Sequence, residues 1–292
     1  MEHVLIFYSM ALLLIIGSDA GVLVDRGIHE NGISFDDKYV VTWGQDHVFK
    51  LGQGQEIQLS LDQLSGCGFE SKSSYGSGFF QTRIKLPDQK DSSGVITAFY
   101  LTSKGENHDE VDFEFLGNRQ GDPITLQTNV FADGKGDREQ RILLWFDPSK
   151  DFHSYSIVWN PTQILFYVDE IPIRVFKNNK DKGVGFPTKA MQVVGSLWNG
   201  TWASGKTQIN WAYAPFSAHF QSFDIPGCAV DSNDGNALGT CGSAQDWWNA
   251  GKYVVGLSGG EEKEYQNVRA KYMNYDYCVD RSRYPTPPPE CV

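Results

Sequence analysis

From His108 to Gly117 the chain reads His-Asp-Glu-Val-Asp-Phe-Glu-Phe-Leu-Gly, and this stretch constrains the fold more than any other. Acidic and bulky apolar residues alternate. At the two-residue period of a β-strand, Glu110, Asp112 and Glu114 share one face and Val111, Phe113 and Phe115 the other. On a helix the same residues would scatter around the axis. The apolar face is suited to the space between two sheets, whereas three like charges on the acidic face contribute nothing to a core. The surrounding chain agrees. From Tyr39 to about Ala214, short runs rich in β-branched and aromatic residues recur, among them Phe79 to Leu86, Val95 to Leu101 and Ser154 to Val158. Glycine, proline and aspartate turns separate them, which predicts an all-β sandwich. Ile164 to Phe176 predicts a hairpin whose turn falls at Asp169 and Glu170.

The 292 residues begin with an apolar run from Val4 to Gly17, followed by Ser18, Asp19 and Ala20. That pattern predicts a cleaved signal peptide over 1–20, although Glu2 and His3 stand where basic residues are usual. The run is too short to span a bilayer, and no other stretch is long or apolar enough, so no membrane association is expected. The net charge of −11 becomes −9 when Glu2 and Asp19 leave with the leader. This balance disfavours nucleic acid and suits a neutral polymer.

Two further segments are expected: the sandwich over 21–222 and an extension over 223–292. After Phe223 the sequence turns to glycine, serine and cysteine. Gly260 to Tyr272 then carries glutamates early and Arg269 and Lys271 late, the charge order of a helix. Pro285 to Pro289 resists regular structure. Cys228 with Cys241 and Cys278 with Cys291 read as two local disulfides, each stabilising by roughly 3 kcal/mol in the chain-entropy model. Zinc is the weaker alternative, because there is no CxxC pair and no histidine after His219. Cys67, between two glycines, reads as a small buried residue.

The acidic row carries the chemistry. Glu110 and Glu114, four residues apart, lie about 13 Å apart along a strand, and leaning together brings their carboxyls to about 5 Å. That is the separation of a retaining glycosidase, in which one carboxylate attacks the anomeric carbon and the other protonates the leaving oxygen. Asp112 between them is placed to hydrogen-bond the nucleophile and to raise the acid's pKa by like-charge repulsion. A metal site or a solvated strand face is the alternative, but calcium favours loop oxygens and no metal is expected here. Trp159, Trp198, Trp202, Trp211 and Tyr100 offer flat rings for sugar faces, with Trp198 and Trp202 favoured because Asn199 to Thr201 reads as a surface loop. The polar run Gly134 to Glu139 suits sugar hydroxyls as well as it suits a solvated turn. Gly256 to Gly260 matches the GxSxG serine elbow, but that fold needs a histidine after the serine and none follows.

With these residues the sequence resembles the plant xyloglucan endotransglucosylase/hydrolases of glycoside hydrolase family 16, whose hallmark HDE(I/L/V)DFEFLGN is matched by His108 to Asn118. The likeness extends to Gln127-Thr128-Asn129, Asp137-Arg138-Glu139, Trp145 to Pro148, Ser196 to Asn199, and Tyr277-Cys278 through Pro289-Glu290-Cys291. It implies a concanavalin-like β-jelly roll with Glu110 as nucleophile, Glu114 as acid/base and Asp112 as helper. It also implies glucan-binding positions at Gln127, Thr128, Asn129, Asp137, Arg138, Glu139, Trp202, Gly205 and Arg283. No cofactor is implied. The implied partners are donor and acceptor cell-wall polysaccharides, xyloglucan first, with mixed-linkage glucan or cellulose as alternative donors. The protein is expected as a monomer secreted to the cell wall or apoplast. Trp198, Trp202 and Arg138 are expected to hold the acceptor so that transfer outruns hydrolysis. An endo-hydrolase is the rival within the class, and a glucan-binding lectin is the rival outside it. The chain departs from the family pattern in several places. Asn118 is followed by Arg119 and Gln120, so the usual glycosylation site is absent and Asn199-Gly200-Thr201 is the only sequon. The Trp198 to Trp211 loop is short, and Tyr75 to Gly78 replaces a more apolar turn, which bears on the choice of polysaccharide.

Overall fold

The computed structural model of the chain describes residues 32–204 and 208–292. The expected leader and Gly205 lie outside these residues. The expected sandwich is present as two eight-stranded sheets. The first runs in the order β1 (Tyr39–Trp43), β4 (Cys67–Ser71), β13 (Gln192–Asn199), β6 (Val95–Thr102), β7 (Glu110–Leu116), β8 (Thr125–Phe131), β9 (Gln140–Leu143) and β16 (Met273–Asp276). The second runs β12 (Ile171–Lys177), β11 (Gln163–Val168), β10 (His153–Trp159), β5 (Ser74–Lys85), β14 (Phe216–Gln221), β3 (Glu56–Leu61) and β2 (Val48–Leu51), with β15 (Gly227–Val230) also paired to β5.

The alternation in β7 has the predicted result. Val111, Phe113 and Phe115 are buried between the sheets. Phe115 meets Tyr155 of β10 edge-on at 4.7 Å, and Phe113 meets Phe166 of β11 at 5.3 Å. Edge-to-face contacts of this kind favour one relative placement of the sheets, so the catalytic-type strand is keyed to the core by its alternate residues. Asp109 explains where the alternation begins. It is 1% exposed and accepts hydrogen bonds from the backbone N–H groups of Asp133, Thr188 and Lys189, which ties the entry of β7 to two neighbouring loops. Among the rings considered as sugar platforms, Trp159 is instead fully buried, because its strand β10 is central in the second sheet and turns it inward.

The β11–β12 hairpin turns at Asp169 and Glu170, both at positive φ (47° and 67°), as a two-residue mirror-image turn requires. Asp169 is held by Ser154 N–H at 2.8 Å and by His153. Both expected disulfides form, Cys228–Cys241 and Cys278–Cys291. Cys67 is a buried free thiol whose pKa burial pushes up to about 12, which makes it unreactive. The expected helix spans Gly259–Lys271, and Ser258, the serine of the apparent elbow, is its N-cap in a capping box with Glu261. The residues after Phe223 supply a strand to each sheet, β15 beside β5 and β16 beside β9.

Glu170 is exposed and carries a side chain at a backbone conformation suited to glycine. Glu170→Gly is expected to raise the chemical-denaturation midpoint, a gain of up to about 1 kcal/mol. An unchanged or lower midpoint would mean that the turn carries no such strain.

Candidate active site

Strand pairing places the acidic row at the centre of the face turned away from the second sheet. Glu110 stands opposite Thr102 of β6, Asp112 opposite Tyr100, and Glu114 opposite Ala98. On the other side the partners are Phe131, Asn129 and Gln127 of β8. All three carboxyls therefore project onto one surface, flanked by the seven other strands of the sheet, which present their own alternate residues to it.

Burial pushes the pKa of each carboxyl up, and neighbouring groups then separate the three. Asp112, 5% exposed, rises well above the usual carboxylate range, through desolvation first and then through the charges of Glu110 and Glu114. It lies in hydrogen-bond contact with Glu110. A bond between two carboxyls needs one proton, and the shifts assign it to Asp112. Glu110 is raised by burial, but the Thr102 hydroxyl, His108 at 3.8 Å and the bond from Asp112 all favour its ionised form. Glu114 is raised by burial and by repulsion from Glu110 and Glu139, against the opposing hydrogen bond from Gln127. The charges that raise Glu114 are those of Glu110 and Glu139.

A relay that the sequence did not reveal supports Glu114. Gln127 Nε2 donates to Glu114 Oε2 at 2.7 Å, and Arg141 Nε of β9 donates to Gln127 Oε1 at 2.8 Å. Arg141 in turn lies over the ring of Tyr275 from β16, 5.4 Å from its centre. The alternation of β8 and β9 alone would have placed Gln127 and Arg141 on one face; their pairing across the strands was not legible.

The other expected binding positions separate into groups. Asn129 lies beside Asp112, its Oδ1 accepting from the backbone N–H groups of Val130 and Arg138. Thr128 points the opposite way, into the core, where its Oγ1 accepts from the buried Arg174 at 2.9 Å. Arg283 reaches from the extension to pair with Asp137 and, at 2.6 Å, with Glu139. Trp198 and the half-exposed Trp202 sit 6.4 Å apart beside β6, on the other flank of the row. Arg138 does not join them. It lies across β7 from the tryptophans, and its guanidinium is committed to Glu290 at 2.8 Å and to the carbonyls of Val130 and Lys135. The expected grouping of Trp198, Trp202 and Arg138 therefore does not form, because β8 and β13 lie on opposite sides of β7. Among the described residues, no group of three His, Cys, Asp or Glu side chains is arranged to hold a metal ion.

Known proteins resemble the chain in sequence and in fold. Residues 35–213 match the model of glycosyl hydrolases family 16, and residues 242–291 match that of the xyloglucan endo-transglycosylase C-terminus. The chain is 64% identical over 269 residues to xyloglucan endotransglucosylase/hydrolase protein 2 of Arabidopsis thaliana, covering 91% of each. It is 47% identical over 286 residues to xyloglucan endotransglucosylase protein 2 of Diospyros kaki, covering 97% of this chain and 94% of that one. In fold it is similar to a Bacillus licheniformis β-glucanase, with a TM-score of 0.53 and 24% identity over 63% of this chain and 89% of that one. A Crh5 transglycosylase gives a TM-score of 0.54 at 24% identity, over 70% and 86%. A paired-carboxyl strand in a two-sheet sandwich, a matching catalytic-domain model and a matching C-terminal model lead to one assignment: the chain belongs to glycosyl hydrolases family 16, among the xyloglucan endotransglucosylase/hydrolase proteins.

Proposed function

We propose that the chain is a retaining endo-transglucosylase that cuts a β-1,4-glucan backbone, xyloglucan first, and joins the cut end to another glucan chain during cell-wall remodelling. The observation that carries this reading is geometric: Glu110 and Glu114 stand four residues apart on one face of β7 with Asp112 between them, and Glu114 is held by Gln127 at 2.7 Å. Glu110 attacks the anomeric carbon as the glycosidic C–O bond breaks, and the Glu114 proton passes to the leaving oxygen. Glu114, now a carboxylate, takes the proton of the incoming hydroxyl as that oxygen displaces Glu110. Asp112 keeps its proton throughout and donates to Glu110, which orients the nucleophile.

Transfer and hydrolysis differ only in the incoming hydroxyl. The bound glucan lies across both flanks of the row, over Trp198 and Trp202 on one side and over Gln127, Asn129 and the Glu139–Arg283 pair on the other. Gly205, three residues after Trp202 in the sequence, is included by its family position. The chain acts as a monomer after removal of residues 1–20, with a catalytic segment to residue 222 and an extension beyond it. Mixed-linkage glucan and cellulose are secondary donors. Export to the wall is supported by the sequence of the leader, and no helix among the described residues is long and apolar enough to cross a membrane.

The direct test incubates the protein with xyloglucan and a labelled xyloglucan oligosaccharide, scoring label in polymer and new reducing ends separately. Label is expected in polymer, reduced by about a thousandfold or more in Glu110→Ala. New reducing ends without label would make the protein a hydrolase, and binding without either product would make it a lectin.

A second test addresses the acid. The Gln127 bond favours ionised Glu114, so its removal raises the pKa of Glu114 and keeps the acid protonated to higher pH. Gln127→Ala is therefore expected to move the basic limb of the kcat/KM profile upward. A limb that stays or falls would remove Glu114 as the group responsible.

A further inference from the structure

We infer that Trp43 and Glu70 form a distal sugar-binding subsite at the edge of the first sheet, four strands from the catalytic row, gripping the glucan chain well beyond the bond that is cut. This inference rests on the reading of that face as a glucan site.

The strand registers define the line. Glu114 stands opposite Ala98, Ala98 opposite Ser196, Ser196 opposite Gly68, and Gly68 opposite Trp43. Residues directly opposite share a face, so Trp43 lies on the same surface as the acids. At one strand spacing per step the separation is ~19 Å. The intervening side chains are alanine, serine and glycine, so nothing bulky rises between Glu114 and the indole in this row.

Trp43 is not a core residue that happens to reach the surface. It is 40% exposed, and its indole leans inward over Gly68, with Nε1 only 2.4 Å from where a Cβ on that residue would sit. Gly68 thus leaves room for the ring to lie against the sheet and present its other side to solvent. The indole N–H has no hydrogen-bond partner among the described residues.

The neighbouring row supplies the polar partner. Asp112 stands opposite Tyr100, Tyr100 opposite Val194, Val194 opposite Glu70, and Glu70 opposite Val40. Glu70 is half-buried on this face between two valines and makes no ion pair or hydrogen bond among the described residues. A carboxylate between apolar side chains with no internal partner is a ready acceptor for hydroxyls. An aromatic plate with a free donor, a valine, 41% exposed, and an unpaired acceptor beside them suit a pyranose ring, which offers an apolar face and a polar rim. The occupant is the same glucan chain, because the surface is continuous with the catalytic row.

The test measures binding rather than turnover. The full chain carrying Glu110→Gln is titrated calorimetrically with xyloglucan oligosaccharides of one, two and three repeating units. Affinity is expected to increase with length. Adding Trp43→Ala is expected to weaken binding of the longest oligosaccharide by about tenfold, with the shortest binding as before. Trp43→Phe should recover part of the loss, and Gly68→Ala, which displaces the indole without removing it, should reproduce the alanine result. If the length-dependent gain survives Trp43→Ala, the subsite is overturned while the glucan site stands. If no oligosaccharide binds at any length, the glucan reading itself fails.

Discussion

Everything on the catalytic face depends on the desolvation of three carboxyls by one strand. Water would hold all three ionised and alike; burial makes that arrangement too costly and forces them apart in protonation. The protein meets the conflict with local hydrogen bonds and with His108 placed 3.8 Å from Glu110. Asp112 is raised well above the usual carboxylate range, Thr102 and the bond from Asp112 oppose the rise of Glu110, and Glu114 stands between burial and the Gln127–Arg141 relay. The opposite face of the strand makes this arrangement rigid, since Phe113 and Phe115 are locked against Tyr155 and Phe166.

Support for the row is drawn from distant parts of the chain. Arg174 crosses from the second sheet to the Thr128 carbonyl and hydroxyl and to the Arg138 carbonyl, so a single buried guanidinium fastens the back of β8. It has no carboxylate partner within ion-pair distance among the described residues, and its positive charge lies behind the sheet that bears the acids, where it opposes the rise in the pKa of Asp112. On the front, Arg138 to Glu290 and Arg283 to Glu139 draw the extension onto the sandwich, while Arg269 to Asp276 braces the extension internally. The Arg138–Glu290 pair is well covered from solvent, which gives it more weight than surface ion pairs usually have.

The sequence made the row, the sandwich, both disulfides, the hairpin at Asp169 and the C-terminal helix legible, because each is set by local pattern: period-two alternation, paired cysteines, turn residues, or charge order along one helix. What it could not supply was adjacency between strands far apart in sequence. Gln127 and Arg141 become partners only once β8 and β9 are paired, and Trp43 joins the face of Glu114 only through three intermediate strands. Thr128 and Arg138 illustrate the opposite limit. Their motif neighbours face the acids, yet strand alternation turns Thr128 inward, and Glu290, more than a hundred residues away, takes the Arg138 guanidinium.

The strand β16 has a consequence beyond the site it flanks. Without it, β9 would end the first sheet with a row of unpaired backbone N–H and C=O groups, a template for joining another chain edge to edge. Residues 273–276 cover that edge, and they come from the same short segment that carries Tyr275 and, a few residues on, Arg283. The polypeptide that finishes the polar flank of the site thus also forms the edge of the sheet. Losing it would bare β9 and remove Tyr275 and Arg283 together, which ties the integrity of the sheet and the polar flank of the site to one segment.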